Sequence, residues 1–158
     1  MTGYMRTSRL RKLTLYPLFK LFLLHLRYKY GFAIPEYTVI GPGFFLNRFG
    51  GFYVHGDTII GNNVNMLPGT MLGLNNRGKK IGAPIIGDRV LIGHGAKVIG
   101  RVFVGNDCSI GANSVVTSDL PPGSVAVGLP AKAISQAGSG GYINRQTDTS
   151  SWPGLARD

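Results

Sequence analysis

Histidine is the side-chain type suited to exchanging a proton near neutral pH, and the chain has three, His25, His55 and His94. A neutral imidazole within reach of a hydroxyl is suited to general-base work. Asp57 follows His55 by two positions, where its carboxylate could orient the ring. Arg48 precedes His55 by seven positions. Its guanidinium stays protonated, which makes it a poor base. It suits binding an acidic group or offsetting negative charge that develops during a reaction. Cys108 is the single cysteine and can form no internal disulfide, which fits a reducing compartment.

The segment carrying His55, His94 and Cys108 is a repeat with a period of six. The aliphatic position reads Val54, Ile60, Met66, Leu72, and after an interruption Ile86, Ile92, Val98, Val104, Ile110, Val116. A looser pair, Ile40 and Leu46, precedes it. Four residues after each aliphatic stands a compact residue: Thr58, Val64, Thr70, Val90, Ala96, Val102, Cys108, Ser114. Six is neither a helical period nor a simple strand alternation. It fits a chain that runs straight, turns and repeats, so that three segments close one triangular coil. The aliphatic residues then form an inner column, and Cys108 is an interior residue rather than a nucleophile. Gly after the aliphatic (Gly61, Gly87, Gly93, Gly105, Gly111), together with Asn62, Asn63, Asn106 and Asn113, is expected to supply positive φ at the turns.

Residues 74–85, LNNRGKKIGAPI, break the count and predict a loop extruded from the coil. Residues 6–29 predict an amphipathic helix ended by Gly31 and Pro35. This helix either packs on the main domain or a subunit interface, or lies on an anionic membrane surface. Lys20 and His25 interrupt its apolar stretch, which is too short to span a bilayer, and no signal peptide is expected. The net charge is +10, and residues 1–30 hold no acidic side chain. That suits acidic lipid or a cofactor's phosphates. No nucleic-acid-binding signature accompanies the charge. From Ser135 onward, Gly, Ser, Thr and Gln predict a tail that is flexible or ordered by a neighbour. The expected organisation is 1–35 helix and linker, 36–134 coil, and 135–158 tail.

Residues 85–134, from IIGDRVLIGHGAKVIG to the DLPPGSVAVGLPAKAI ending, resemble the hexapeptide-repeat acetyltransferases. They are most similar to the serine acetyltransferase-like branch, which includes many polysaccharide O-acetyltransferases. The run VIGPGFFLNRFGGFYVHGDTIIGNNVNMLPGTMLG is similar to the same branch. The resemblance implies an all-β, left-handed parallel β-helix that assembles as a homotrimer and binds acetyl-CoA between adjacent subunits. Carried over by position, the cofactor contacts fall at Gly73, Leu74, His94, Gly95 and Ala112. Lys132 matches a cation near the CoA phosphates, with Arg77, Lys79 and Lys80 as further candidates.

The branch resembled places a base histidine in a Gly-His-x-Gly-Gly-type segment. Here that segment reads Leu46-Asn47-Arg48-Phe49-Gly50-Gly51, with Arg48 at the histidine position. A second histidine, found in the loop of serine acetyltransferases, is replaced by the run Gly82-Ala83-Pro84. The catalytic candidates are therefore His55, Arg48 and Asp57, with His94 able to reach the thioester region or merely line the channel. The expectation is an acetyl-CoA-dependent O-acetyltransferase acting on a sugar hydroxyl in surface polysaccharide or glycan biosynthesis. It is expected in the cytoplasm, with peripheral contact at the inner membrane face as an option. The alternatives are a serine acetyltransferase and an acetyl-CoA-binding scaffold without a base. A γ-class carbonic anhydrase on the same fold would need three histidines around one zinc. His25 lies outside the coil, so no metal is expected.

Overall fold

The computed structural model describes residues 9–150, with side-chain surroundings from Tyr16 onward. One helix, α1 (Arg9–Tyr30), is followed by fifteen short strands. These are β1 (Phe32–Ala33), β2 (Val39–Ile40), β3 (Phe45–Leu46), β4 (Phe52–Val54), β5 (Ile59–Ile60), β6 (Asn65–Met66), β7 (Met71–Gly73), β8 (Ile85–Ile86), β9 (Leu91–Ile92), β10 (Lys97–Ile99), β11 (Phe103–Val104), β12 (Ser109–Ile110), β13 (Val115–Val116), β14 (Val125–Gly128) and β15 (Ala131–Ser135).

Every third strand pairs. The first sheet runs β1-β4-β7-β10-β13, the second β2-β5-β8-β11, and the third β3-β6-β9-β12-β14-β15. All pairings are parallel except β14 with β15, an antiparallel hairpin. The result is a three-sided coil whose rungs stack at the usual strand spacing of about 4.8 Å. All ten aliphatic residues of the six-residue repeat, from Val54 to Val116, are at most 1% exposed. Each such burial stabilises by roughly 1.5–3 kcal/mol relative to an exposed side chain. The compact residues four positions on are buried as well, Cys108 among them. Ile40 and Leu46, in the first rung, are only partly buried, because no coil covers them from below.

The glycines after the aliphatics do not supply positive φ. They permit close stacking instead: a Cβ on Gly61 would lie 2.6 Å from the Gly87 carbonyl oxygen of the next rung. Positive φ falls three residues after the aliphatic, at Asn63, Arg89, Asp107 and Asn113 among others, and Asn62 and Asn106 do not adopt it. Asn62 and Asn106 serve the ladder differently. The Asn106 side-chain oxygen accepts the Asp88 N–H at 2.9 Å, and the Asn62 N–H donates to Asp88 Oδ1 at 2.8 Å.

Two further expectations change. The coil starts at β1, earlier than residue 36, because Phe32 pairs with Phe52 and Ala33 with Tyr53. The tail is ordered against the chain's own coils. Ser139 N–H donates to Asp107 O at 2.9 Å, Asn144 N–H to Asn65 Oδ1 at 2.8 Å, and Arg145 lies over the Phe45 ring at 5.4 Å. Residues 136–150 thus run back along the edge between the second and third sheets. The helix ends at Tyr30, and Gly31 follows at φ 65°, as the sequence predicts.

Candidate active site on two edges of the coil

The candidate residues sort by edge. The edge from the third sheet to the first is built by three stacked turns: Arg48 to Gly51 between β3 and β4, Pro68-Gly69 between β6 and β7, and His94-Gly95 between β9 and β10. Ala112-Asn113 continues it between β12 and β13. Backbone bonds lock the stack: Gly95 N–H donates to Pro68 O at 2.9 Å and Asn113 N–H to His94 O at 2.7 Å. Lys132, opposite Val127 in the β14–β15 hairpin, lies two strands beyond the end of β12 that leads to Ala112. Arg48, His94, Gly95, Ala112 and Lys132 therefore share one edge. Arg48 and His94 are two rungs apart, about 10 Å along the backbone stack, and both side chains are exposed.

The edge from the first sheet to the second carries His55 and Asp57, between β4 and β5, and Gly73-Leu74, where residues 74–84 leave β7. This segment closes on itself through Asn75 and Gly82, whose backbones exchange bonds of 3.0 and 2.8 Å. It is held to the coil by Lys80, whose ammonium is 2.7 Å from an Asp119 carboxylate oxygen. Lys80 first, and the Phe103 N–H second, hold the Asp119 carboxyl below the usual carboxylate range. Arg77 and Lys79 remain exposed on the segment.

His55 and Arg48 do not meet. Arg48 lines a small pocket of about 220 Å³ with Tyr30, Phe32, Leu46, Phe49 and Phe52. Its backbone φ is 75°, and the neighbouring Phe49 ring stacks on Tyr30 at 5.7 Å. His55 lines a groove of about 710 Å³ whose walls include Leu24, Arg27 and Tyr28 of α1 and Tyr37 and Tyr53 of the coil. Its Nδ1 accepts the Asp57 backbone N–H at 3.3 Å. The neutral ring then carries its proton on Nε2 and has no lone pair free there. The Asp57 carboxylate lies 3.8 Å from Nδ1, a contact that helps only a protonated ring. His25 lies on α1, away from the coil turns. Among the described residues no group of three or more His, Cys, Asp or Glu side chains could hold a metal ion. Burial pushes the Cys108 thiol above its usual range, in keeping with an interior role.

Sequence reasoning ranked His55 above His94 on its nearness to Arg48 in the chain. The stacking of rungs groups them otherwise: two whole rungs return His94, and not His55, to the edge that holds Arg48.

The family model described as bacterial transferase hexapeptide (six repeats) matches residues 83–118. Residues 83–118 thus carry the repeat of the hexapeptide transferases. The chain is 43% identical over 110 residues to a serine acetyltransferase of Helicobacter pylori, covering 70% of this chain and 64% of that protein. It is 38% identical over 109 residues to that of Mycobacterium tuberculosis, covering 68% of this chain and 47% of that protein. The chain spans about half to two-thirds of the length of these relatives. Among solved structures it is similar to Neisseria gonorrhoeae serine acetyltransferase in complex with serine, with a TM-score of 0.67, 33% identity, and coverage of 80% of this chain and 52% of that one. The Brucella abortus serine acetyltransferase in complex with coenzyme A gives a TM-score of 0.66 at 30% identity, covering 82% and 54%. The three-faced coil thus matches the expected left-handed β-helix.

These likenesses overturn the sugar acceptor and the role in polysaccharide biosynthesis expected from the sequence. The transferase domain resembles serine acetyltransferases across its coils. The expectation had leaned on Arg48 at one histidine position and on the run Gly82-Ala83-Pro84 in place of a second histidine. Two substitutions at the site weigh less than identity along the whole coil.

Proposed function

We propose that this chain transfers the acetyl group of acetyl-CoA to the hydroxyl of serine. The observation that carries the reading is the 43% identity to a serine acetyltransferase over 110 residues, 70% of this chain. The likeness to a coenzyme A complex supports acetyl-CoA as donor.

The site is completed by a homotrimer. Gly73 and Leu74 lie on one edge of the protomer and His94, Gly95, Ala112 and Lys132 on another. A cofactor that touches both sets has to lie between two copies. One copy presents its Arg48–Lys132 edge and the next its 74–84 segment. Lys132 faces the phosphates, where a cation is favoured by charge-assisted hydrogen bonding.

His94 is the base in this reading. Its ring is exposed and makes no hydrogen bond among the described residues. It takes the proton of the serine hydroxyl as the oxygen attacks the thioester carbonyl, and the CoA thiolate leaves. Arg48 binds the acceptor's carboxylate, a geometry guanidinium suits. Backbone N–H groups of the turn stack are placed to steady the oxyanion.

The test follows thiol release from acetyl-CoA with L-serine as acceptor. Serine-dependent release supports the reading, and release without dependence on serine rejects it. A second reading, an acetyl-CoA-binding chain without turnover, is favoured by Arg48 alone. It predicts acetyl-CoA binding by calorimetry with no release of thiol.

A further inference from the structure

Helix α1 leaves a broad set of apolar side chains uncovered, although Leu24 and Tyr28 also wall the groove beside His55. At 100° per residue, Leu18, Leu21, Phe22, Leu24 and Tyr28 share an arc of about 160°, which also takes in His25 and Lys29. Leu18, Leu21 and Phe22 are 59–64% exposed and Tyr28 is 82% exposed. The half-buried residues, Leu23, Leu26 and Arg27, lie on the opposite side. There Arg27 ties the helix to the first rung, donating to Ile34 O at 2.8 Å and Glu36 Oε2 at 3.0 Å. An apolar arc of that width facing water is unfavourable unless something covers it.

Charge says what covers it. Residues 1–30 carry seven Lys and Arg and no acid. Arg27 is committed to Glu36, whereas Lys20 and Lys29 lie over the Tyr16 and Tyr30 rings, at 5.8 and 5.4 Å. Packing this face against the same helix of another copy would bring like charges together. An anionic lipid surface would instead attract each cation by about 1 kcal/mol and accept the leucines and phenylalanines. The long stems of Lys20, beside the arc, and of Lys29, within it, let their ammonium groups reach headgroups. At 22 residues the helix is about 33 Å long, yet no described helix is apolar enough to cross a membrane. We propose that α1 lies flat on an anionic lipid surface, apolar arc down, and holds the transferase domain against it.

Co-sedimentation of the full chain with phosphatidylcholine vesicles, with and without phosphatidylglycerol, tests this. The expected result is binding at least about ten-fold tighter to the anionic vesicles, weakening as salt rises. Leu18→Glu with Phe22→Glu should lower that binding at least about ten-fold, with the β-type circular dichroism and the native mass unchanged. Lys20→Gln with Lys29→Gln keeps the apolar arc and should remove most of the preference for anionic lipid. Equal or absent binding to the two vesicle types overturns the proposal. A fall in native mass in the Leu18→Glu, Phe22→Glu variant also overturns it, because the arc is then a contact between copies.

Discussion

Asn63 and Thr147, 84 positions apart, exchange two hydrogen bonds: Thr147 N–H donates to Asn63 Oδ1 at 2.8 Å and Asn63 Nδ2 donates to Thr147 O at 3.1 Å. Asn65 does the same for Asn144, at 2.8 and 3.2 Å. Two side-chain amides thus replace a strand partner for the tail's backbone. Asn63→Ala with Asn65→Ala removes all four bonds and should release residues 140–150. Limited proteolysis should then cut the tail several-fold faster. The coil, which these amides do not hold together, should keep its melting temperature within a few degrees.

The stacking glycines separate two effects by position. Gly61→Ala places a methyl group 2.6 Å from the Gly87 carbonyl oxygen, and rung backbones cannot move apart without breaking the ladder. The expected loss is about 1–3 kcal/mol in urea unfolding. Gly140→Ala meets nothing within 4 Å and has no positive φ, so its change should stay within about 0.5 kcal/mol.

The Lys80–Asp119 pair predicts a pH dependence. The folded Asp119 carboxyl is depressed, by Lys80 first. Its contribution to stability is therefore present above the unfolded carboxylate pKa of about 3.9 and is lost as pH falls toward the folded value. Both partners are substantially exposed, 40% and 53%, so the pair is worth less than about 1 kcal/mol. Asp119→Asn should flatten the acid limb of the stability curve slightly. Its clearer sign is local: faster hydrogen exchange at Asn75 and Gly82, which close the segment that Lys80 anchors.

On the proposed chemistry, His94→Ala should lower kcat for serine acetylation by about 10²- to 10⁴-fold. His55→Ala should change kcat less than about three-fold, because its Nδ1 is already occupied by Asp57 N–H. Steady-state thiol release decides between them, and a large loss on His55→Ala would return the base to the other edge.

Cys108 should resist alkylation in the native chain and react once urea opens the coil. Its side chain is fully buried and its thiol is held protonated by burial. Mass spectrometry after iodoacetamide checks this.

The six-residue spacing of Val54 through Val116 determined the coil without help from tertiary contacts. A periodic apolar residue can be buried in one way by a chain that turns at every sixth position, and the core holds those residues. The end of α1 was equally local, set by Gly31. Tertiary structure decided the rest. Whether a glycine supplies φ or clearance depends on the rung above it, as at Gly61 under Gly87. Which candidates share an edge depends on the sum of rung lengths, which placed His94 beyond Arg48 and left His55 elsewhere. The docking of the tail rested on Asn63, read in the sequence as a turn former, and on Asn65 of β6, and neither reading showed their bonds to a segment about eighty residues away. Local propensity acts over neighbours along the chain, whereas edges, clearances and long-range amide pairs exist only once the rungs have stacked.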